Sequence, residues 1–257
     1  MGHSLIIGYG EVGQALEEVL GARHRVSVYD LVSHPGSDPV LPVDVLHICF
    51  PWSPEFQPQV IGYQERYRPS FTVVHSTVPV GTCYAVDAHH SPVRGSHPRL
   101  AEAMRTFTTY LAPGSDDLRA YFQEAGMKVS LVSRSQDSEA GKLWELAGFA
   151  LNILLEKEIH EYCEAKGLDF DVVYKDFAET YNQGYAKMGV ENVRRPVLKH
   201  MPGPIGGHCV VPGVALLGDE LVARLIASEN ARWAGEREQV TVLARSTWRG
   251  GIGVHRA

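Results

Sequence analysis

Residues 4–30 read SLIIGYGEVGQALEEVLGARHRVSVYD, and this stretch decides the fold. A short apolar run leads into the glycine pattern G-x-G-x-x-G, after which apolar residues recur at helical spacing. An alternating run then ends in Asp30. The order of strand, glycine turn, helix, strand and terminal acid is typical of a dinucleotide-binding unit, in which the helix N-terminus binds a pyrophosphate. A glycine turn that only connects a strand to a helix would not explain the acid.

Each glycine of this turn has its own part in such a unit. Gly8 permits the tight turn, Gly10 lets the backbone approach the pyrophosphate, and Gly13 lets the helix pack close to the strand. We expect Asp30 to accept hydrogen bonds from the adenosine ribose, and its charge would repel a 2′-phosphate, so NAD is favoured over NADP. The other turn residues predicted to contact the cofactor are Tyr9, Glu11 and Val12.

Strand-like and helix-like segments keep alternating after this unit. Strands are predicted within residues 44–51, 70–82 and 127–133, and the middle one continues into a polar turn. This alternation indicates an α/β protein with a Rossmann-type, doubly wound parallel sheet. Ligands bind at the carboxyl ends of such strands. The residues predicted there, lining the cofactor cleft, are Pro51, Trp52, Ser53, Ser76, Thr77 and Val78.

A long helix dominates the second half of the chain. Residues 138–166 contain no proline and little glycine, and a broad apolar face runs along them. We therefore predict an NAD-binding domain of residues 1–136. The second domain, residues 137–257, is predicted to be α-helical, to form a homodimer through the long helix, and to carry a glycine-rich loop with Cys209.

Shorter elements are predicted after the long helix. Residues 169–189 are expected to form a helical pair, and residues 218–233 a further helix. Residues 245–257 show no periodicity and are expected to be a loose terminus.

The composition argues against several classes of protein. The chain has 257 residues, 44% hydrophobic and 21% charged, and its net charge of -6 provides no basic surface for nucleic acid. It has no apolar run of the roughly 18 residues that a membrane helix needs. We see no signal-peptide pattern and no C-x-x-C pair among the four cysteines, so reduced thiols and a cytoplasmic location are expected.

Histidine is frequent, with twelve residues. We interpret the neighbouring histidines in residues 89–97 and 200–208 as loop side chains that bind an anion or cap a turn, and we predict no metal site. A metal site at these positions is the alternative.

The order of motifs resembles that of the UDP-glucose/GDP-mannose dehydrogenase family. The likeness covers most of the chain and runs through GYGEVG, DVLHICFPWS, STVPVGT, SEAGKLWEL, EYCEAKGLDFDVV and GPIGGHC. In that family NAD oxidises a nucleotide-sugar alcohol twice to a carboxylate. A cysteine carries the aldehyde as a thiohemiacetal, which becomes a thioester and is hydrolysed. The resemblance implies that Cys209 is the nucleophile, Lys142 stabilises oxyanion charge, and Thr77 helps to position water and cofactor.

Three departures from the family concern the hydrolytic step. One helical turn after Lys142 the family has an asparagine, where this chain has Leu146. Val93 replaces the acid of the family's N-P-E-like segment, and Gly213 replaces an aspartate one turn after the cysteine. Because thioester hydrolysis needs a base to activate water, these departures count against a four-electron oxidation. We also expect the family's C-terminal nucleotide-sugar domain to be missing, which leaves the substrate open.

The segment HHSPVRGSHPRL, residues 89–100, is the most unusual part of the predicted cleft. Arg94 and Arg99 stand there with His90 and His97, and guanidinium groups bind carboxylate or phosphate through paired hydrogen bonds. The segment therefore predicts a small anionic substrate. The alternative is that these arginines pair with nearby acids. Further predicted substrate contacts, in the cysteine loop, are Gly206, Gly207 and His208.

Two classes of function follow from these patterns. The first is an NAD-dependent oxidoreductase that acts on an alcohol or carbonyl of a small anionic or sugar-derived substrate. The second is a dinucleotide-binding protein without redox turnover, either a sensor or a partner subunit on a dehydrogenase frame. Two residue-level alternatives stay open: Lys142 as a solvated lysine paired with Glu139 or Glu145, and Cys209 as an incidental thiol.

Overall fold

The structure, a computed structural model, describes residues 2–34 and 42–235. It divides into two compact units. The first contains the described residues up to Ala150 together with His208–Ala223, and the second contains Leu151–Gly207 and the described residues from Arg224 onward. The domain boundary after residue 136 stays a prediction, and the terminus expected at residues 245–257 lies outside the described part.

A five-stranded sheet forms the centre of the first unit. All its strand pairs are parallel, and the strand order is β2-β1-β3-β4-β5. The predicted Rossmann-type sheet is therefore confirmed. The strands are β1 (His3–Ile7), β2 (Arg25–Tyr29), β3 (Val45–Ile48), β4 (Phe71–Val74) and β5 (His89–His90).

A second, two-stranded parallel sheet consists of β6 (Thr108–Leu111) and β7 (Lys128–Leu131). It meets β5 through an antiparallel bridge between His90 and Ala112. Neither β5 nor β6 was predicted from the sequence. With only two residues, β5 is too short to show an alternating pattern, and β6 is too polar to read as a buried strand.

Helices cover both faces of the sheet. Because successive residues of a strand point to opposite faces, neighbouring residues pack into different apolar clusters. Ile6 of β1 packs with Leu16 and Phe122, whereas its neighbours Leu5 and Ile7 pack with the residues around Phe56. The helices of the first unit before the long helix are α1 (Glu11–Leu20), α2 (Phe56–Tyr67), α3 (Thr82–Ala85), α4 (Leu100–Thr106) and α5 (Asp116–Glu124).

The long helix α6 spans Ser135–Lys166, so it begins three residues before the predicted start. Where a helical pair was predicted, the structure has a π-helical turn, Asp171–Asp176, which continues directly into α7, Phe177–Lys187. Short helix α8 spans Val210–Ala215 and follows Cys209, and α9 spans Leu221–Trp233.

The second unit buries a charged side chain. Lys157 of α6 is 1% exposed, and its ammonium group donates hydrogen bonds to the carbonyl oxygens of Met201 and Gly203. Buried Glu156 contacts His200, with Oε1 2.8 Å from Nδ1. A buried charge is tolerated only with such partners, so these contacts fix the loop around residues 200–203 against α6.

Candidate functional site

Two of the three glycines in the turn are required by packing, and the third lies in open space. Gly8 has a φ of +93°, and a Cβ on it would lie 2.8 Å from the backbone nitrogen of Phe50. A Cβ on Gly13 would lie 2.1 Å from the carbonyl oxygen of Gly8, so strand and helix pack too closely for alanine. Gly10 differs, because no described atom outside its chain neighbours lies within 4 Å of such a Cβ. Packing explains Gly8 and Gly13, whereas the exposed Gly10 leaves room for a ligand at the start of α1.

Asp30 lies immediately after β2, as predicted. Its Oδ2 accepts a hydrogen bond from the backbone N–H of Tyr9 at 2.9 Å. Oδ1 accepts from the backbone N–H groups of Val32 and Ser33, at 3.0 Å and 2.9 Å. These backbone hydrogen bonds, that of Ser33 first, lower the pKa of Asp30, so the carboxylate is ionised at neutral pH. The turn therefore holds a fixed negative charge beside the glycine loop, which fits a ribose diol and opposes a 2′-phosphate.

Lys142 lies on α6 and is held by one backbone contact. Its Nζ donates a hydrogen bond to the carbonyl oxygen of Val93 at 2.9 Å. Burial lowers the pKa of Lys142, the charge of Arg94 adds to this effect, and Glu145 and Cys209 oppose it. An amine with a lowered pKa exchanges protons more readily near neutral pH than an ordinary lysine does.

Three residues noted in the sequence, Thr77, Leu146 and Gly213, lie close together, and Leu146 is on α6 one helical turn after Lys142. A Cβ on Gly213 would lie 2.5 Å from Cδ1 of Leu146 and 3.6 Å from Cγ2 of Thr77. Leu146 is buried and Thr77 is partly buried. The position that Gly213 leaves open is thus filled by an apolar side chain.

Cys209 is exposed and lies just before α8. The preceding residue, His208, contacts the glycine turn, with Nε2 3.3 Å from Oε2 of Glu11. The cysteine segment 208–213 therefore belongs to the same unit as the glycine turn and Lys142. Gly206 and Gly207 are exposed residues of the second unit.

The structure pairs both arginines of residues 89–100 with acids. Arg94 donates through Nε and Nη2 to Glu145 at 3.0 Å and 2.7 Å, and Arg99 donates through Nε to Glu102 at 2.6 Å. This is the alternative considered from the sequence, and substrate binding by these arginines stays a prediction. His97 lies 3.7 Å from Glu11, measured from Nδ1 to Oε1.

The expectation that His90 faces the cleft is wrong. His90 is 0% exposed, and its Nδ1 lies 2.9 Å from Oγ of Ser138. Burial lowers the pKa of His90 to about 3, so it is neutral and cannot attract an anion at neutral pH. The polar residues around His90 gave no sign that it lies on β5, the last strand of the sheet, which is bridged to Ala112 on its other side.

The remaining predicted cleft residues lie after strands β3 and β4. Pro51 and Trp52 are exposed, and Ser76 donates its hydroxyl hydrogen bond to the carbonyl oxygen of Phe50 at 2.6 Å. This contact joins the ends of the two strands. Val78, which follows β4, is buried. In the glycine turn, Val12 packs against the core at the side of Ile6.

A cavity of about 420 Å³ adjoins Lys142 in the first unit. Its size falls in the range of small-molecule sites. The residues that line it include Pro92, Arg94, Tyr110, Ser138, Lys142 and Glu145.

Glu139 was overlooked as a functional residue in the sequence. It is 0% exposed, and its carboxylate accepts hydrogen bonds from the backbone N–H groups of Gly81 and Cys83 at 2.6 Å and 2.7 Å. It thus ties the STVPVGT turn to α6, one helical turn before Lys142. The available signal was an acid on the buried face of the helix, in line with Leu143 and Leu146.

Two further observations concern ions and membranes. No group of three or more His, Cys, Asp or Glu side chains within residues 2–34 and 42–235 is arranged to hold a metal ion. Across the same residues, no helix combines the length and apolar character needed to cross a bilayer.

The fold and the glycine turn define a Rossmann-type architecture, and comparison with solved structures identifies what it is similar to. UDP-D-ManNAc dehydrogenase from Pyrococcus horikoshii matches with a TM-score of 0.69 and 15% identity, over 90% of this chain and 68% of the other. Mycobacterium tuberculosis 3-hydroxyisobutyrate dehydrogenase, solved with L-serine, matches with a TM-score of 0.68 and 16% identity, over 92% and 94%.

A UDP-glucose dehydrogenase from Pyrobaculum islandicum matches with a TM-score of 0.66 and 16% identity, over 90% and 68%. At these identities the comparisons establish a shared fold. They include both sugar-nucleotide and hydroxy-acid dehydrogenases. No protein-family model matches the sequence, and no curated protein sequence matches it significantly.

Proposed function

We propose that the protein is an NAD-dependent oxidoreductase that acts on an alcohol or carbonyl group of a small anionic or sugar-derived substrate. The observation that carries this proposal is Lys142, whose amine has a lowered pKa and lies in the same unit as an open glycine turn. The solved structures that share its fold support the proposal, because those named above are dehydrogenases.

The residues of the first unit suit NAD. The open backbone at Gly10 and the N-terminus of α1 would bind the pyrophosphate, and Asp30 would accept hydrogen bonds from the ribose. When bound, NAD supplies the hydride acceptor or, once reduced, the donor. Lys142 would take a proton from the substrate hydroxyl or return it to the carbonyl, and its positive charge would stabilise the developing oxyanion.

Packing around Leu146 favours a two-electron reaction. Leu146 lies against Thr77 and Gly213, where the resemblance expects an asparagine and an aspartate. Without a carboxylate to activate water, a thioester on Cys209 would not be hydrolysed by the family's route. Reversible exchange between an alcohol and a carbonyl needs only a proton-exchanging group and a hydride acceptor, and Lys142 with NAD would supply both.

The cavity beside Lys142 is the proposed substrate pocket. It contains Arg94, which binds Glu145 through Nε and Nη2. An anionic substrate would therefore be recognised by Lys142 and by the outer edge of a guanidinium group that is already oriented. This arrangement favours a single small carboxylate or phosphate over a multiply charged ligand.

The Lys142→Ala variant tests the proposal. We expect turnover to fall by about 100-fold or more with any substrate found by screening hydroxy acids and sugar nucleotides for NADH formation. NAD binding, measured by calorimetry, should stay within about twofold of the wild type, because Lys142 lies outside the glycine turn. Lys142→Arg keeps the charge but not the lowered pKa, so it should restore binding of an anion but not turnover. Turnover retained in Lys142→Ala would overturn the assignment.

Cys209→Ser separates the two-electron reaction from a covalent one. If the thiol is not a nucleophile, the serine variant keeps wild-type kinetics, measured as kcat/KM for the same substrate. A loss of about 100-fold or more would show that Cys209 forms a bond with the substrate. NAD binding without turnover on every substrate of the screen would instead favour a binding protein.

We further propose a homodimer formed through α6 in a reducing compartment such as the cytoplasm. Trp144, Leu155 and Tyr162 lie on one face of that helix and are each about half exposed. All four cysteines are free thiols, which fits such a compartment. Light scattering would report the mass, and Leu155→Asp should convert a dimer to a monomer, whereas Glu164→Gln on the same helix should not.

A further inference from the structure

A continuous chain of hydrogen bonds crosses the interior of the first unit. Ser4 Oγ lies 2.6 Å from Tyr121 OH, which lies 3.1 Å from Nε2 of His47. Nδ1 of His47 lies 2.9 Å from Nε2 of His75, and Nδ1 of His75 lies 2.8 Å from the carbonyl oxygen of Ser91. All five residues are buried. Strands β1 and β3, helix α5 and the ends of β4 and β5 each contribute one residue.

The donor and acceptor of every hydrogen bond in this series can be deduced from its last member, the carbonyl oxygen of Ser91. The carbonyl oxygen of Ser91 can only accept, so Nδ1 of His75 carries the proton. Burial lowers the pKa of His75 to about 4 and that of His47 well below its usual range, so both rings are neutral at pH 7. A neutral His75 therefore accepts at Nε2, and His47 must donate from Nδ1.

The same reasoning continues to the other end. His47, protonated at Nδ1, accepts at Nε2, so Tyr121 donates its hydroxyl proton to it and accepts one from Ser4. Each group thus donates once toward Ser91, and bonds aligned in this way reinforce one another. Because the chain ends on a carbonyl oxygen, it cannot deliver a proton to a substrate. Its effect must be mechanical.

Ser91 begins the short segment that holds Lys142. The backbone N–H of Ser91 donates to the carbonyl oxygen of Val74 at 2.8 Å, and its carbonyl oxygen accepts from His75. Pro92 follows, and its ring fixes φ. Val93 then provides the carbonyl oxygen that accepts from Lys142 at 2.9 Å. The position of that carbonyl is therefore set by the anchored peptide only two residues earlier.

We propose that His47 and His75 are positioning residues for Lys142. Both are locked in the Nδ1–H form, and His75 fixes the Ser91–Val93 segment on which the lysine depends. This inference rests on the proposed function only in giving Lys142 a catalytic role; the tautomers and the lysine contact stand independently of turnover. The titratable side chains that act on the pKa of Lys142 are Glu145 of its own helix, Arg94 and Cys209, and none of them belongs to the chain of hydrogen bonds.

The first test reads the tautomers directly. In protein with 15N-labelled histidine, nitrogen shifts at pH 7 should show a protonated Nδ1 and an unprotonated Nε2 for both His47 and His75. Tyr121→Phe keeps the ring but removes the hydroxyl that donates to His47, so the resonances of His47 should shift while those of the control His89 stay unchanged. A protonated Nε2 on either ring in the wild type would overturn the proposal.

The second test reads Lys142 without a substrate. The pH dependence of its modification by an amine-reactive reagent, followed by mass spectrometry of the peptide, gives the midpoint of its titration. His75→Phe removes the donor to Ser91, and we expect the midpoint to rise by about half a pH unit or more as the lysine becomes more solvated. His75→Asn offers a short N–H donor toward the same carbonyl and should restore part of the wild-type value.

His89→Asn is the matched control, because His89 lies on β5 but outside the chain of hydrogen bonds. It should leave the titration midpoint of Lys142 unchanged. If His75→Phe fails to fold, Tyr121→Phe replaces it, with a smaller rise expected. A midpoint unchanged in folded His75→Phe would overturn the positioning role. Wild-type tautomers and the expected shifts without turnover on any substrate would uphold this inference and count against the proposed enzyme.

Discussion

Leu146 and Gly213 are in close contact, because the leucine side chain fills the space beside the glycine Cα. A Cβ on Gly213 would lie 2.5 Å from Cδ1 of Leu146, well inside the distance of two carbon atoms in contact. These are the two positions at which the resemblance expects an asparagine and an aspartate. The two departures are therefore linked by packing, because the Leu146 side chain occupies the space that a side chain at position 213 would need.

Gly213→Ala should destabilise the protein because the added methyl group overlaps Leu146. The overlap should cost about 1–3 kcal/mol, which exceeds the gain of about 1 kcal/mol that alanine brings to helix α8, so the free energy of unfolding, measured by urea denaturation, should fall. Leu146→Ala leaves a cavity and should also destabilise. The double variant should be more stable than the sum of the two losses implies, by about 1 kcal/mol or more.

Gly62→Ala provides the control for this cycle, because no described atom outside α2 and its chain neighbours lies within 4 Å of its added Cβ. It should leave stability unchanged or raise it by about 1 kcal/mol, since alanine favours a helix. Strict additivity of Gly213→Ala and Leu146→Ala would show that the two side chains do not compete for space.

The parts of the fold that the sequence predicted are those with a repeating or local signal. The glycine turn, α1, β2 and the long helix all have an apolar period or a glycine at a fixed offset, and each lies where it was expected. Strand β5 has neither, and its two histidines suggested an exposed loop. The structure buries His90 because β5 lies between β4 and the bridge to Ala112, a neighbourhood that no local pattern reports.

The candidate site likewise has features that the sequence could predict and features that it could not. Lys142 and Cys209 lie in one unit of the structure, while the roles that the resemblance implies for them stay predictions. The acid with which Arg94 pairs could not be predicted, because Arg94 and Glu145 are far apart in sequence and come together only when α6 packs in the folded protein. The same holds for Glu139 and Gly81. Contacts across long sequence separations depend on the whole fold, so they had to come from the structure.

Stability should fall on mild acidification. His47, His75 and His90 are buried and neutral in the folded protein, and burial depresses the pKa of each below its usual value. In the unfolded chain they titrate near about pH 6.5. Below that pH the unfolded state binds more protons, so stability is lost as the pH falls toward the folded-state values, by up to about 1.4 kcal/mol per pH unit for each histidine.

Urea denaturation at pH 7.5, 6.0 and 5.0 measures this loss. Asp30 also has a depressed pKa, but it affects stability only below about pH 4, outside this window. His89→Asn should keep the full dependence. A free energy of unfolding that is constant between pH 7.5 and 5.0 would mean that the three histidines are accessible to protons in the folded state.

Glu139 should be needed as a carboxylate. Glutamine can accept one of the backbone hydrogen bonds from Gly81 and Cys83, but its NH2 group would face the other donor. We expect Glu139→Gln to lower the free energy of unfolding by about 1–3 kcal/mol, because a buried N–H is left without an acceptor. Glu102→Gln, at an exposed position, is the control and should change stability by less than about 0.5 kcal/mol. Equal stability of both variants would show that water replaces the lost contact.

Glu11 should weaken the binding of NAD. It lies in the first turn of α1, where the pyrophosphate is proposed to bind, and its carboxylate is 3.3 Å from His208 and 3.7 Å from His97. A like charge near the pyrophosphate costs about 1 kcal/mol in a largely aqueous setting. Glu11→Gln should therefore tighten NAD binding about fivefold in calorimetry at low salt, and the gain should shrink as salt screens the repulsion.

Glu18→Gln removes the same charge from the same helix, but near its other end, and should leave the affinity for NAD unchanged. The sign of the Glu11→Gln effect separates two roles of this residue. Tighter binding means that Glu11 acts by repulsion, whereas weaker binding would mean that it acts by holding His208. In that second case, His208→Ala should weaken NAD binding to the same extent as Glu11→Gln, because both variants would break one contact.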